Sequence, residues 1–347
     1  MLEPGTITII VIVVLIIVAV AVTLGVIYGT TTDEDVTPTP TPIIISPTPV
    51  AVLKSNSYGT PGVYSITAEI DSDVNVKLWG AGGGSSVSAT DDLDYAGGGG
   101  GFTMLTFPVT KGDIVHLSVG FGGDVGEPQG TIARTGQLKP SDPTAIHGGG
   151  GSVVILQRSA SEFLLRGVAG GGGGQWCLSN GSSLQVGVGG GGVYNTAGAV
   201  GGDGFEAGTV PTGGNIDQHA NEGSGGTGLG GNGTVMVVSG SSLDDFEGYG
   251  GGDGDATVSS GGGGFGGGGG ADGDLPGGSN AAGGGGYANP NDSTEISGEA
   301  GNGSSPGGTA DPDYPSETNP GRGGIHTTED FTPGNPGYIK IYYYGYV

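Results

Sequence analysis

The sequence predicts an all-β sandwich preceded by a single N-terminal transmembrane helix. Three observations carry this: an uncharged apolar run from Ile7 to Tyr28, apolar–polar alternation that recurs from Tyr64 onward, and no amphipathic helical period of useful length after Tyr28. Side chains alternate across a strand, so period-two spacing puts one face in a core and the other in water.

Residues 1–6 form a short tail, and 7–28 are the expected membrane anchor, with Ile7, Ile10, Val14, Ile17, Leu24 and Tyr28 along it. About 22 residues give roughly 33 Å of helix, which matches a ~30 Å hydrocarbon core. A removed signal peptide is the competing reading. The run lacks a basic n-region, exceeds the usual apolar length of a signal and is followed by no convincing cleavage box. Glu3 precedes it and Asp33, Glu34 and Asp35 follow, so the positive-inside rule is nearly silent and the C-terminal side holds the functional mass.

Residues 29–57 read as a stalk. Thr37-Pro38-Thr39-Pro40-Thr41-Pro42 and Ser46-Pro47-Thr48-Pro49 lack donors and have fixed φ, which extends the chain as polyproline II at about 3.1 Å per residue. Docking to a proline-binding module and O-linked sugar on the threonines are the alternatives to a plain spacer.

The expected domain spans 58–347. Glycine supplies 84 residues and proline 20, together about 30% of the chain against an average near 12%, a composition that signals disorder unless patterning opposes it. Patterning does oppose it. Tyr64, Ile66, Ala68 and Ile70 alternate with polar residues; Val74, Val76 and Leu78 repeat the signal; Phe102–Val109 and the segment holding Val115, Leu117, Val119 and Phe121 flank the turn-like Thr110-Lys111-Gly112-Asp113. Ser152–Gln157 and Glu162–Val168 flank a hairpin loop at Arg158-Ser159-Ala160-Ser161, Val235–Val238 fits a buried strand, and a terminal strand runs from Gly337 to Tyr344.

Glycine falls between these strands in blocks: Gly97–Gly101, Gly148–Gly151, Gly170–Gly174, Gly189–Gly192, Gly261–Gly264, Gly266–Gly270 and Gly283–Gly286. Fixing a residue costs ~1–2 kcal/mol of backbone entropy, and glycine more than most, so ordered blocks demand dense backbone hydrogen bonding. Polyproline-II-like segments with three residues per turn supply it, because every N–H and C=O points outward to a neighbour.

The grammar of Leu78-Trp79-Gly80-Ala81-Gly82-Gly83-Gly84, of Ala96 and five glycines entering Phe102-Thr103, of Val168-Ala169 before Gly170–Gly174, and of the terminal Gly337-Tyr338-Ile339-Lys340-Ile341 resembles the glycine-rich domain. That module occurs in the ectodomains of anaplastic lymphoma kinase and leukocyte tyrosine kinase and in bacterial and viral surface proteins. The resemblance covers roughly Tyr58 to Val347 and implies a tumour-necrosis-factor-like β-sandwich with inserted polyglycine-II helices. It implies no receptor activity, since the chain lacks a kinase and has one cysteine in place of disulfides. The layout of anchor, Thr-Pro tract and glycine-rich body also resembles membrane proteins of large double-stranded DNA viruses, notably those of algae, although cellular proteins share this plan.

With 34 acidic and 9 basic side chains the chain stands at −25, which disfavours nucleic acid and anionic membrane surfaces as partners. Cys177 alone forms no internal disulfide. Gly251-Gly252-Asp253-Gly254-Asp255-Ala256 departs from the calcium nonapeptide at Ala256 and does not repeat, and His116, His147, His219 and His326 have no ligand spacing, so no metal is expected. No Gly-x-Gly-x-x-Gly sits in a βαβ setting, no Gly-Lys-Ser/Thr occurs, and no acidic pair stands out, so neither catalytic residues nor cofactors are expected. Asn180, Asn232, Asn291 and Asn302 head N-glycosylation sequons that matter only in a glycosylating compartment.

The functional expectation is therefore a non-enzymatic, single-pass membrane protein with its C-terminal domain outside the bilayer, in a virion membrane or at a cell surface. It would link a membrane to a protein shell; the alternative is a stalked adhesin or receptor-binding ectodomain with specificity in Asn195–Asn232 or Asn289–Pro320. Its expected partners are the bilayer, other protein subunits and a further copy in a homo-oligomer, and Tyr342–Tyr344 with Tyr346 read either as an interface or as packed strand tyrosines.

Overall fold

Alternation in the sequence becomes two antiparallel sheets. The computed structural model describes residues 49–85, 96–123, 148–176, 239–246, 262–265, 279–280, 283–325 and 332–347. Within them run β1 (Ala51–Tyr58), β2 (Gly62–Thr67), β3 (Ser72–Trp79), β4 (Phe102–Val109), β5 (Ile114–Val119), β6 (Ser152–Ser159), β7 (Glu162–Ala169), β8 (Gln175–Trp176), β9 (Ser239–Gly240), β10 (Ser279–Asn280), β11 (Tyr287–Ala288), β12 (Thr294–Glu299) and β13 (Tyr338–Tyr346). The first sheet has the order β1-β13-β3-β4-β12 and the second β11-β7-β6-β5-β2, with β9 on β7 and a separate β8–β10 pair.

The inward faces meet in one core. Val74, Val76, Leu78, Leu105, Phe107, Ile339 and Ile341 of the first sheet pack on Val115, Leu117, Val119, Val154 and Leu156 of the second. Burying each such side chain is worth about 1.5–3 kcal/mol. The second sheet is covered on its other face too, where Val153, Ile155, Phe163 and Leu165 lie under Phe246, Phe265 and Tyr287. This is why Val153–Leu156 reads as a continuous apolar run and not as an alternation.

Strand direction sorts the connections between two poles. At one pole the turn at 110–113 carries the chain from β4 of the first sheet to β5 of the second, and the turn at 160–161 closes the β6–β7 hairpin. At the other, β3 ends at Trp79 before Gly80, β4 begins after Gly101, β5 ends before Gly120, β6 begins after Gly151, β7 ends before Gly170, and β11 and β13 begin after Gly286 and Gly337. Glycine segments therefore gather at a single end of the sandwich.

Three expected boundaries change. The stalk was expected to run to residue 57, yet Ala51–Tyr58 is a full strand paired along its length with β13, from Ala51↔Tyr346 to Tyr58↔Ile339. The strand expected to reach Ile70 ends at Thr67, because Ala68 N–H donates to the Asp113 carbonyl and Gly112 N–H to that of Ala68, which fastens the chain to the 110–113 turn. β12, Thr-Glu-Ile-Ser-Gly-Glu, was not anticipated; its polar composition hides an edge strand. Val235–Val238 and Gly189–Gly192 lie outside the described residues.

The larger correction concerns the membrane. The expected fold class joined a sandwich to a spanning helix, but the architecture is all-β, two-sheet and not a barrel, and among the described residues no helix is long and apolar enough to cross a membrane. Helical backbone there amounts to one 3-10 turn, Leu243–Phe246. Strands of 6–9 residues hold the apolar segments, where a spanning helix needs about 20 consecutive apolar residues. The proposed anchor residues Ile7, Ile10, Val14, Ile17, Leu24 and Tyr28 lie outside the described residues. Single-pass topology, the bilayer as partner, residence in a virion membrane or cell surface, and the reading of a membrane-to-shell linker or stalked adhesin all rested on that helix and lose their basis. The further subunits and the homo-oligomer, inferred from the same layout, lose theirs as well.

Candidate functional site

Three places concentrate chemistry: the glycine pole, a strap across the first sheet, and one lateral edge of the sandwich.

At the glycine pole, the described extended segments bond mainly to one another, and the partners recur every third residue. Gly80 and Gly83 donate to Gly101 and Gly98; Gly98 and Gly101 donate to Gly173 and Gly170; Gly97 and Gly100 donate to Gly324 and Gly321. Gly171 donates to Gly263 and accepts from Gly284, while Gly172 donates to Ala81 and accepts from Gly149, at 2.7–2.9 Å. A repeat of three with outward-pointing donors is the polyproline-II pattern. The segments form one shared lattice. It excludes side chains: a Cβ on Gly80, Gly171 or Gly172 would run into the carbonyl oxygen of Gly170, Gly149 or Gly98.

The strap, residues 306–322, covers the outer face of the first sheet beside this lattice. Trp79 lies under it, its ring 4.7 Å from Phe102, 5.6 Å from Tyr338 and 6.0 Å from Tyr314. Lys77 Nζ reaches Asp311 Oδ1 at 2.8 Å and Asp313 Oδ2 at 2.6 Å, and Tyr342 Oη donates to Asp313 Oδ1 at 2.6 Å. Burial opposes the Lys77 ammonium, yet the bonds to Asp311 and Asp313 outweigh it and hold its pKa above the usual value. Burial likewise opposes the Asp313 carboxylate and is outweighed by Lys77 and Tyr342, so its pKa is lowered. The Asp313 bond, then burial, push Tyr342 up to about 12, and burial pushes Tyr314 up to about 12. This network ties the strap down. The stretch Asn289–Pro320, expected as an open recognition loop, is thus largely β12, a hairpin and the strap.

The lateral edge holds Arg166. Pairing Ile155↔Leu165 and Val154↔Gly167 leaves Arg166 as the extra residue of a bulge, and its side chain is 0% exposed. Nη1 donates to Asp292 Oδ2 at 2.9 Å, and the guanidinium carbon lies 5.7 Å from the Phe107 ring centroid. That bond lowers the Asp292 pKa. Nε and Nη2 of Arg166 and Oγ of Ser293 are buried without partners. β12 breaks register with β4 between Thr294 and Ser297, and Glu295 has φ of 50°. The sequence does carry a signal for this place, an arginine inside the apolar strand Phe163-Leu164-Leu165-Arg166-Gly167-Val168-Ala169.

The other sequence candidates scatter. Asn291 is exposed, its N–H bonded to Asn289 Oδ1 at 3.0 Å; Asn302 is exposed in a tight hairpin closed by Ser305, with Gly303 at φ 54° as a two-residue turn of this hand requires. His116 Nε2 lies 2.8 Å from Gln157 Oε1 and meets no metal-ligand set, and no group of three metal-ligating side chains occurs among the described residues. Asp245 accepts from Ser241 and Ser242 N–H groups, which lower its pKa, and so closes a local turn. Tyr344 and Tyr346 are partly exposed beside Leu53, while Tyr343 packs on the core. Asn180, Asn232, Cys177, His147, His219, His326 and the Gly251–Ala256 loop lie outside the described residues.

No protein-family model matches the chain, and no curated protein matches it in sequence.

Proposed function

We propose that the described part of residues 49–347 acts as a rigid, non-catalytic scaffold module whose glycine lattice fixes one pole of the sandwich. The lattice carries this reading: its third-residue bonding joins segments distant in sequence, from Gly80 to Gly337, into one hydrogen-bonded block. The bridges Ser85↔Thr332 and Ala96↔Ile325 extend the same block. Such a block makes a poor reaction centre, because it is backbone throughout and offers no acid, base or nucleophile. The same third-residue lattice supports kinship with the glycine-rich domain.

Native limited proteolysis with a non-specific protease tests the reading. Cuts are expected outside the blocks at 97–101, 148–151 and 170–174, and the fragments stay associated until denatured. Early cutting within those blocks overturns it.

A further inference from the structure

The Nε–H and Nη2–H groups of an arginine lie along one edge of the planar guanidinium and form the fork that takes an oxyanion through two parallel bonds. In Arg166 that whole fork is unpartnered and buried, while Nη1 alone is engaged by Asp292. A buried cation with one acid partner is incompletely compensated, and Asp292 is itself 48% exposed. The unpartnered Ser293 hydroxyl follows Asp292 directly, and the left-handed Glu295 and the two breaks in pairing complete a concentration of unfavourable features in one place. Unsatisfied polar groups and backbone strain of this kind collect where a ligand completes the structure. The Arg158 charge also acts on Asp292.

We propose that Arg166 is the centre of a small-oxyanion site, in which the Nε/Nη2 fork takes a carboxylate or phosphate group and the Ser293 hydroxyl supplies a further donor. Asp292 sits on Nη1 and not on the fork, and competes with an incoming anion through its charge. Charge sets the ligand class, since a fork of N–H donors beside a hydroxyl has no use for a cation. Planarity of the fork favours groups with two oxygens side by side.

The test titrates inorganic phosphate and, separately, acetate and a short peptide with a free C-terminus into the full chain at low ionic strength. The readouts are the Arg166 Nε–Hε NMR resonance and the thermal midpoint. A saturable shift of that resonance with a rising midpoint is expected; response to phosphate alone assigns a phosphate ligand, and response to acetate and peptide a carboxylate. Asp292→Asn removes the competing charge and should lower the starting midpoint while tightening binding about tenfold, the worth of one charged hydrogen bond. Arg166→Lys keeps the charge, loses the fork and should abolish saturation. The proposal fails if the Arg166 resonance stays fixed in both wild type and Asp292→Asn at tens of millimolar anion, a result that does not depend on whether Arg166→Lys folds. A saturable midpoint shift that persists in a folded Arg166→Lys chain places the anion elsewhere and overturns it equally.

Discussion

The sandwich and the glycine pole are ordered by opposite means. Between the sheets, Leu117, Phe107 and Ile341 gain stability by leaving water, and the backbone ladder follows from their packing. At the pole Gly171 and Gly172 have no side chain to bury, and the backbone bonds themselves are the structure. A net hydrogen bond is worth only about 0.5–1.5 kcal/mol, and an ordered glycine costs at least as much, so the lattice holds only as a dense block resting on strands that are already fixed. The comparison teaches that glycine excess is compatible with order when strands deliver the segments in register.

Substitution should expose the contrast. Gly171→Ala puts a methyl group against the Gly149 carbonyl and breaks several segments at once, so a loss beyond about 5 kcal/mol, or failure to fold, is expected in urea denaturation. Leu117→Ala leaves a cavity between the sheets and should cost about 2–5 kcal/mol by the same assay. If the leucine change proves the more damaging, the lattice is not a cooperative part of the fold.

Lys77→Met strips Asp311 and Asp313 of their cation and should cost about 1–3 kcal/mol, less than a deeply buried pair because water reaches both acids. The same network predicts a pH window. Asp313 has a lowered pKa, so its contribution is present above its ordinary value of 3.8 and is lost as pH falls through the lowered folded value. Lys77 has a raised pKa, so its contribution is complete below 10.5 and is lost as pH rises through the raised folded value. Tyr314 and Tyr342, raised from 10.0 to about 12, add a loss between those values. A denaturation series should show both flanks, with the alkaline one coinciding with late phenolate absorbance, and Lys77→Met should flatten its share of each. Gly112→Ala gives the smallest effect: its Cβ meets nothing, and only the φ of 98° opposes it, so about 1 kcal/mol is expected. That value beside Gly171→Ala would separate glycine needed for a turn from glycine needed for close approach.

Legibility in the sequence followed the same divide. Phe102–Val109 is a strand with the bounds the sequence predicts, although both of its faces are largely covered and only Pro108 is exposed. β1 was hidden by the Thr-Pro tract before it, since Asn56 and Lys54 on its half-buried face contact Tyr343 and Glu69 in place of an apolar stripe. β12 was hidden by its polar composition and its bulge. Glycine blocks announced that dense backbone bonding was required, but partner choice, such as Gly98 with Gly173, depends on which strands end at one pole and no local pattern encodes it. The Arg166 edge needs a bulge in β7 and a segment from residues 289–293, with Arg166 and Asp292 126 residues apart in the sequence, so its pairing was invisible locally.

Amide hydrogen exchange resolved to single residues tests the central claim most directly. The N–H groups of Gly98, Gly101, Gly149, Gly171 and Gly172 should exchange as slowly as those of Val76 and Leu117 and lose protection together with them under rising denaturant. Free exchange at these glycines while the strands stay protected would mean that the pole is not held by a lattice.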